Sequence, residues 1–93
     1  MPNVRRREFA KAREVYEKLV VAEPDNVVHA LRLAEARAAE GDAERAGLEL
    51  VALGGRMLAG GRAEDAERTF KRASELLPGR AEPIVGLARC QAA

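Results

Sequence analysis

Residues 47–80 read GLELVALGGRMLAGGRAEDAERTFKRASELLPGR, and this stretch determines the fold class. Its apolar residues recur every three or four positions, which is the spacing of one face of an α-helix. Leu50, Leu53 and Met57 form one such stripe, and a pair of glycines ends it. A second stripe ends before a Pro-Gly pair and consists of Ala63, Ala66, Phe70, Ala73 and Leu77. The pattern predicts a hairpin of two helices.

The same spacing continues on both sides of this hairpin. It predicts five helices, at about residues 4–22, 27–40, 43–59, 63–77 and 81–92. No stretch alternates with period two for long enough to favour a strand, so the predicted class is all-α. Because the connections are short, consecutive helices should run antiparallel. We expect Asp25 or Asn26 to cap the second helix and Asp42 to cap the third.

Small residues dominate the apolar content of the chain. Its 93 residues are enough for one domain, residues 1–93, and include 19 Ala but only two Phe, one Tyr and no Trp. Gly47, Gly54 and Gly55 lie inside the third helix, where each costs about 1 kcal/mol relative to Ala. We therefore expect this helix to gain close packing in return.

Charge and composition argue against several classes of function. Sixteen Lys and Arg against 15 Asp and Glu leave a net charge of +1, which gives no electrostatic basis for binding nucleic acid or an anionic membrane. One His and one Cys do not suffice for a structural zinc site, an internal disulfide or most nucleophile–histidine sites. We therefore expect no metal, no cofactor and no enzymatic activity.

The individual candidates for chemistry support the same expectation. Within its own predicted helix, His29 has no Asp, Cys or Ser at a helical spacing that would orient it, and Cys90 has no neighbouring His. The glycine pairs lack the preceding strand and the Lys-Ser or Lys-Thr pair of a phosphate-binding loop. The sequence therefore predicts no catalytic and no cofactor-binding residue.

Nothing in the sequence predicts export or membrane insertion. Charged residues begin where a signal peptide would need an apolar stretch, and uncharged apolar runs such as residues 19–22 are far shorter than a bilayer span. The expected location is the cytoplasm. The excess of Arg over Lys, together with the many Ala, is typical of a GC-rich bacterial genome.

An internal repeat gives the sequence a more specific interpretation. Ala12 and Ala46 are 34 residues apart, and the pairs Leu53-Gly54 and Leu87-Ala88 repeat at the same interval. The chain here resembles the tetratricopeptide repeat, a helix-turn-helix unit of 34 residues. Nine of nine signature positions match in residues 47–80: Leu50, Leu53, Gly54, Met57, Gly61, Ala66, Phe70, Ala73 and Pro78. The resemblance implies an α-solenoid of stacked hairpins and a scaffold that binds other proteins.

One irregularity interrupts the 34-residue register. Leu33-Ala34 recurs as Leu53-Gly54 after only 20 residues, and Ala46 recurs as Ala66. The 14 missing residues equal about four helical turns, so the apolar stripe stays in phase. We therefore predict that the third helix is fused or shortened, and that it ends one unit and begins the next. The register places close helix contacts at Ala12, Ala34, Ala46, Gly54, Ala66, Ala73 and Ala88.

The resemblance also implies where a partner binds. In tetratricopeptide proteins the partner docks in a groove lined by the first helix of each unit. Mapped residue by residue, this groove contains Val28, Leu31, Arg32, Glu35, Val51, Ala52, Gly55, Val85, Gly86 and Arg89. The carboxylate clamp of the chaperone-binding members needs Lys and Asn at several of these positions, which this chain does not provide. The expected partner is a protein or peptide of unknown identity.

Self-association is the alternative. The first helix resembles the second half of a unit, and the fifth resembles a first half. Solenoids need polar helices at their ends to remain soluble. We therefore expect that the chain either forms homo-oligomers through its terminal helices or is an excerpt from a longer array. The residues expected at these contacts are Phe9, Tyr16, Leu19, Ile84 and Leu87.

Overall fold

The structure, a computed structural model, describes the backbone of residues 2–92 and the side chains of residues 7–92. It contains five α-helices: α1 Pro2–Ala22, α2 Val27–Ala39, α3 Ala43–Ala59, α4 Ala63–Leu76 and α5 Ala81–Ala92. Residues 2–92 contain no strand. The all-α class and the five helices are confirmed, and the predicted helix ends agree to within two residues.

The turns after α2 and α3 have the same closure. Each contains a glycine with positive φ, 99° at Gly41 and 79° at Gly61, which a residue with a Cβ would adopt only with strain. In both turns the next residue donates its N–H to the carbonyl oxygen four residues before the glycine, at 2.9 Å. This is a Schellman closure. The 20-residue interval in the sequence therefore separates two turns that have the same geometry.

The two expected helix caps differ in outcome. The side chain of Asn26 accepts a hydrogen bond from the N–H of Val28 at 3.0 Å, so the cap of α2 is confirmed. The prediction that Asp42 caps α3 is wrong, because its side chain accepts no hydrogen bond from the first backbone N–H groups of α3. The Schellman turn holds Asp42 at φ −97° and ψ 61°, outside the extended backbone region that capping residues usually adopt.

The helices form a flat array in which α3 is central. Each helix packs on its neighbours in the chain, and α3 also contacts α5. Leu77 meets Gly47 at one end of the α3–α4 pair and Thr69 meets Met57 at the other, so the two helices run antiparallel. The molecule measures 44 × 31 × 15 Å.

The ring of Phe70 on α4 lies between glycines of two other helices. Phe70 is only 3% exposed. A Cβ built at Gly54 of α3 would lie 2.8 Å from the ring, and a Cβ at Gly86 of α5 would lie 2.3 Å from it. Gly47 meets Leu77 in the same way, at 2.5 Å. Close packing at Gly47 and Gly54 therefore offsets the cost of placing these glycines in a helix.

Most of the small residues expected at helix contacts are buried. Ala34, Ala46, Ala66 and Ala73 are among the most deeply buried side chains, as the register predicts. Ala12 is half-buried and Ala88 is exposed. The predicted close contact of Ala88 with another helix of this chain is therefore wrong. The face of α5 that meets α4 contains Gly86, and Ala88 lies two residues further on, about 200° around the helix.

Two glycine substitutions test whether the Phe70 ring is confined. Gly86→Ala should lower the free energy of unfolding by about 1–3 kcal/mol, because the ring must move to make room for the methyl group. Gly55→Ala should raise it by about 0.5–1 kcal/mol, since a Cβ there meets no described atom within 4 Å and alanine favours the helix. Urea unfolding followed by circular dichroism measures both. Equal stability of Gly86→Ala and wild type would show that the ring is not confined.

Candidate functional site

Three apolar grooves run between the helices. We name each groove after the two helices that form its sides. The α1–α2 groove, about 480 Å³, is lined by Phe9, Ala12, Tyr16, Leu31, Arg32, Glu35 and Ala36. The α2–α4 groove, about 530 Å³, is lined by Val27, Val28, Leu31, Glu35, Met57, Arg62, Asp65, Arg68, Thr69 and Arg72. The α3–α5 groove, about 380 Å³, is lined by Val51, Gly55, Phe70, Ala81, Glu82, Val85, Gly86 and Arg89.

The residues expected in a single partner groove are divided among these surfaces. Val51, Gly55, Val85 and Arg89 lie together in the α3–α5 groove. The four from α2 lie elsewhere: Val28 in the α2–α4 groove, Arg32 in the α1–α2 groove, and Leu31 and Glu35 in both. Ala52 lies on another face of α3, beside Leu48 and Glu49. Helix α3 packs on both α2 and α4. The expected groove residues of α2 therefore lie on different surfaces from those of α3 and α5.

The residues expected at oligomer contacts are uncovered to different degrees. Ile84 is 59% exposed, and Phe9 is 37% exposed at the edge of the α1–α2 groove. Tyr16 and Leu19 are half-buried on α1. Leu87 is half-buried because it packs against the core.

Arginines line one side of the α2–α4 groove. Arg72 of α4 makes a bidentate ion pair with Glu35 of α2, with Nε–Oε2 and Nη2–Oε1 distances of 2.8 and 2.7 Å. The hydrogen bonds to Glu35 raise the pKa of Arg72. Arg68 pairs with Asp65 on its own helix. Arg62 has no ion-pair partner among the described residues, so the groove carries a net positive charge.

A buried arginine lies outside these grooves, where α1, α2 and α3 meet. Arg37 is only 6% exposed. Its Nε lies 2.9 Å from Oε1 of Glu49 on α3, and its Nη2 donates to Glu17 of α1 at 3.3 Å. The Nε and Oε1 atoms are close, but they do not form a hydrogen bond of good geometry, so this contact is an ion pair. Burial raises the pKa of Glu49, and the positive charge of Arg37 opposes that rise.

The same two positions in the next hairpin hold an uncharged pair. Twenty residues after Arg37 and Glu49 come Met57 and Thr69, whose hydroxyl lies 3.2 Å from the methionine sulfur. Both pairs connect consecutive helices at equivalent points of the repeat. Our sequence reasoning missed Arg37 because a charged residue on a helix is ordinarily assigned to the surface. The 20-residue register could have identified it, since it aligns Arg37 with a residue of the apolar stripe.

The single His and the single Cys of the chain have different surroundings. Nε2 of His29 is 2.8 Å from a carboxylate oxygen of Glu23, which lies in the loop before α2 and therefore escapes a search at helical spacings. Cys90 is a buried free cysteine. Within the described part of the chain, no three His, Cys, Asp or Glu residues are grouped to hold a metal ion. No helix there has the length and apolar character needed to cross a bilayer.

Comparisons with protein-family models, with curated proteins and with solved structures find no match to this chain.

Substitutions at the buried ion pair should separate its charge from its packing. Arg37→Met alone leaves the carboxylate of Glu49 without its counter-ion and should lower the free energy of unfolding by about 3 kcal/mol. Arg37→Met combined with Glu49→Thr copies the uncharged pair of the next hairpin and should be neutral or stabilising. Arg72→Met is the control, since an exposed pair contributes at most about 1 kcal/mol. Urea unfolding that shows the double variant to be less stable than Arg37→Met would contradict the equivalence of the two pairs.

The raised pKa of Glu49 predicts a pH dependence of stability. The folded state binds a proton at Glu49 more tightly than the unfolded state does, for which the ordinary pKa is 4.5. The contribution of this group to stability should therefore increase as the pH falls through its raised pKa towards 4.5. Relative to Glu49→Gln, wild type should gain stability between pH 7 and pH 4.5 in urea unfolding. A difference that stays constant or reverses would contradict the burial of this carboxylate.

Proposed function

We propose that this protein is a non-catalytic interaction module that binds an acidic amphipathic peptide or helix of a partner protein. The binding site is the α2–α4 groove. The observation that carries this proposal is an open apolar floor bordered by arginines, one of which has no ion-pair partner among the described residues. The volume of about 530 Å³ lies within the range of about 300–1,000 Å³ typical of ligand pockets.

The apolar part of the groove suits a partner helix or peptide whose apolar side chains lie along one face. Val28 and Leu31 are one helical turn apart on α2, and Val28 is 49% exposed. Met57 of α3 lies between α2 and α4 at the floor. Covering Val28 and Leu31 would remove apolar surface from water, which is the main favourable term in most protein association.

The charges favour an acidic partner. Arg62 borders the groove at the start of α4, close to the start of α2, where Val27 and Val28 lie. A carboxylate placed beside Arg62 gains a counter-ion without breaking any ion pair of the structure. Arg68 is exposed and bound only to its neighbour Asp65, so it can turn to a second carboxylate. Charge complementarity of this kind speeds association and selects partners.

We further propose that the helices stack in the manner of tetratricopeptide repeats, with α3 fused from two helices. The nine signature residues of residues 47–80 support this, because all those that lie within α3 and α4 are buried at helix contacts. The 20-residue repeat of turn closure supports the fusion. The Arg-rich and Ala-rich composition supports the proposal of a bacterial protein, and the proposed location is the cytoplasm.

Selection from a random-peptide display library tests the proposed site. The enriched peptides should combine Asp or Glu with large apolar residues. Val28→Glu and Arg62→Glu should each weaken their binding at least about tenfold, equivalent to about 1.4 kcal/mol. Val21→Glu, on a side chain that is 82% exposed and outside every groove, is the control and should leave binding unchanged. Peptides that bind all three variants equally, or lose binding with Val85→Glu instead, would contradict this site.

A further inference from the structure

An acidic side chain of the protein itself lies at the arginine border of the α2–α4 groove. Glu35 of α2 and Arg72 of α4 both line this groove, and their bidentate ion pair joins the two helices. One carboxylate oxygen accepts from Nε of Arg72 and the other from Nη2. This is the preferred geometry for an arginine that binds a carboxylate. Glu35 therefore occupies the place that Arg72 offers to a carboxylate of an acidic partner.

The ion pair is accessible to solvent and weak enough to open. The side chains of Arg72 and Glu35 are 39% and 45% exposed. An exposed pair of this kind shifts an equilibrium at most about fivefold, because water competes for both charges. The Arg37–Glu49 pair is different, since Arg37 is only 6% exposed and opening that pair would leave a buried charge without its counter-ion. At the α2–α4 groove, a partner can therefore exchange its own carboxylate for that of Glu35.

A second arginine is placed to receive Glu35 when it leaves Arg72. Arg32 precedes Glu35 by three residues on α2, and side chains at this spacing on a helix are close enough to pair. Arg32 is exposed and has no ion-pair partner among the described residues. Glu35 lines both the α2–α4 groove and the α1–α2 groove, and Arg32 lines the second of these. A turn of the Glu35 side chain towards Arg32 therefore keeps its carboxylate paired.

We propose that Glu35 is an internal competitor of the acidic partner: it occupies Arg72 in the free protein, and a carboxylate of the partner displaces it towards Arg32. This inference rests on the proposed peptide-binding function of the α2–α4 groove and identifies a residue that regulates that site. Arg72 lies ten residues after Arg62, about 15 Å further along α4, so the two arginines suit two separate carboxylates of the partner.

Peptide selection on two forms of the full chain tests the competition. Wild type and Glu35→Gln are each screened with the random-peptide display library, and the Kd of every enriched peptide is measured on both. Glu35→Gln should lower the Kd of acidic peptides about three- to fivefold, because Arg72 is then free. Glu75→Gln is the matched control and should change the Kd less than about 1.5-fold. It removes the same charge from an exposed side chain outside the groove, 3.9 Å from Nη1 of Arg72.

Substitutions in the peptide identify the carboxylate that takes the place of Glu35. Each Asp or Glu of an enriched peptide is replaced in turn by Asn or Gln. The gain produced by Glu35→Gln should disappear for one peptide of this series, the one that lacks the carboxylate bound to Arg72, and should persist for the others. A gain that persists in every peptide would show a general effect of charge instead of exchange at Arg72, and would overturn the proposal.

The outcomes separate this proposal from the function on which it rests. Acidic peptides that lose binding with Arg62→Glu, but bind wild type at least as tightly as Glu35→Gln, overturn the competition and leave the peptide-binding function standing. If neither form enriches acidic peptides, both proposals are wrong.

Discussion

The packing of the Phe70 ring between Gly54 and Gly86 is the contact on which the rest of the structure depends. One aromatic side chain reaches α3 on one side and α5 on the other, and neither contact leaves room for a Cβ. The spacing of three helices is therefore set by a single ring and two missing side chains. Because protein interiors are close-packed, this spacing carries through to the position of α5 and to the width of the α3–α5 groove.

The packing of α3 on both α2 and α4 explains how the surface is divided into grooves. Helix α3 buries one face against α2 and another against α4, and it also touches α5. Its glycines make this possible, since Gly47 and Gly54 allow α4 to approach closely. As a result, α2 and α4 become neighbours across Met57, and the Arg72–Glu35 pair connects them. A groove with an apolar floor and an arginine border follows from this arrangement.

The two hairpins around α3 show how one backbone geometry accepts different chemistry. The turns close with the same hydrogen bonds, and the helix contacts fall at the same intervals. At one equivalent position the first hairpin holds Arg37 and Glu49, and the second holds Met57 and Thr69. The charged pair extends to Glu17 and so connects α1 with the hairpin, which the uncharged pair does not do. The first hairpin thus gains a contact to a third helix and buries charge to make it.

The sequence by itself determined the five helices, their order, their turns and most of their buried small residues. These features depend on local spacing, on glycines with positive φ and on the periodicity of apolar side chains, all of which are present in the linear chain. The tertiary structure alone decided how the expected groove residues were divided, that Arg37 was buried and which face of α5 met α4. Each of these depends on the distance and angle between helices, and helical periodicity gives the face of a residue but not the helix opposite it. For that reason only Val28, Leu31 and Glu35 of the α2–α4 groove were predicted as groove residues, and neither its arginine border nor the division into separate grooves was predicted.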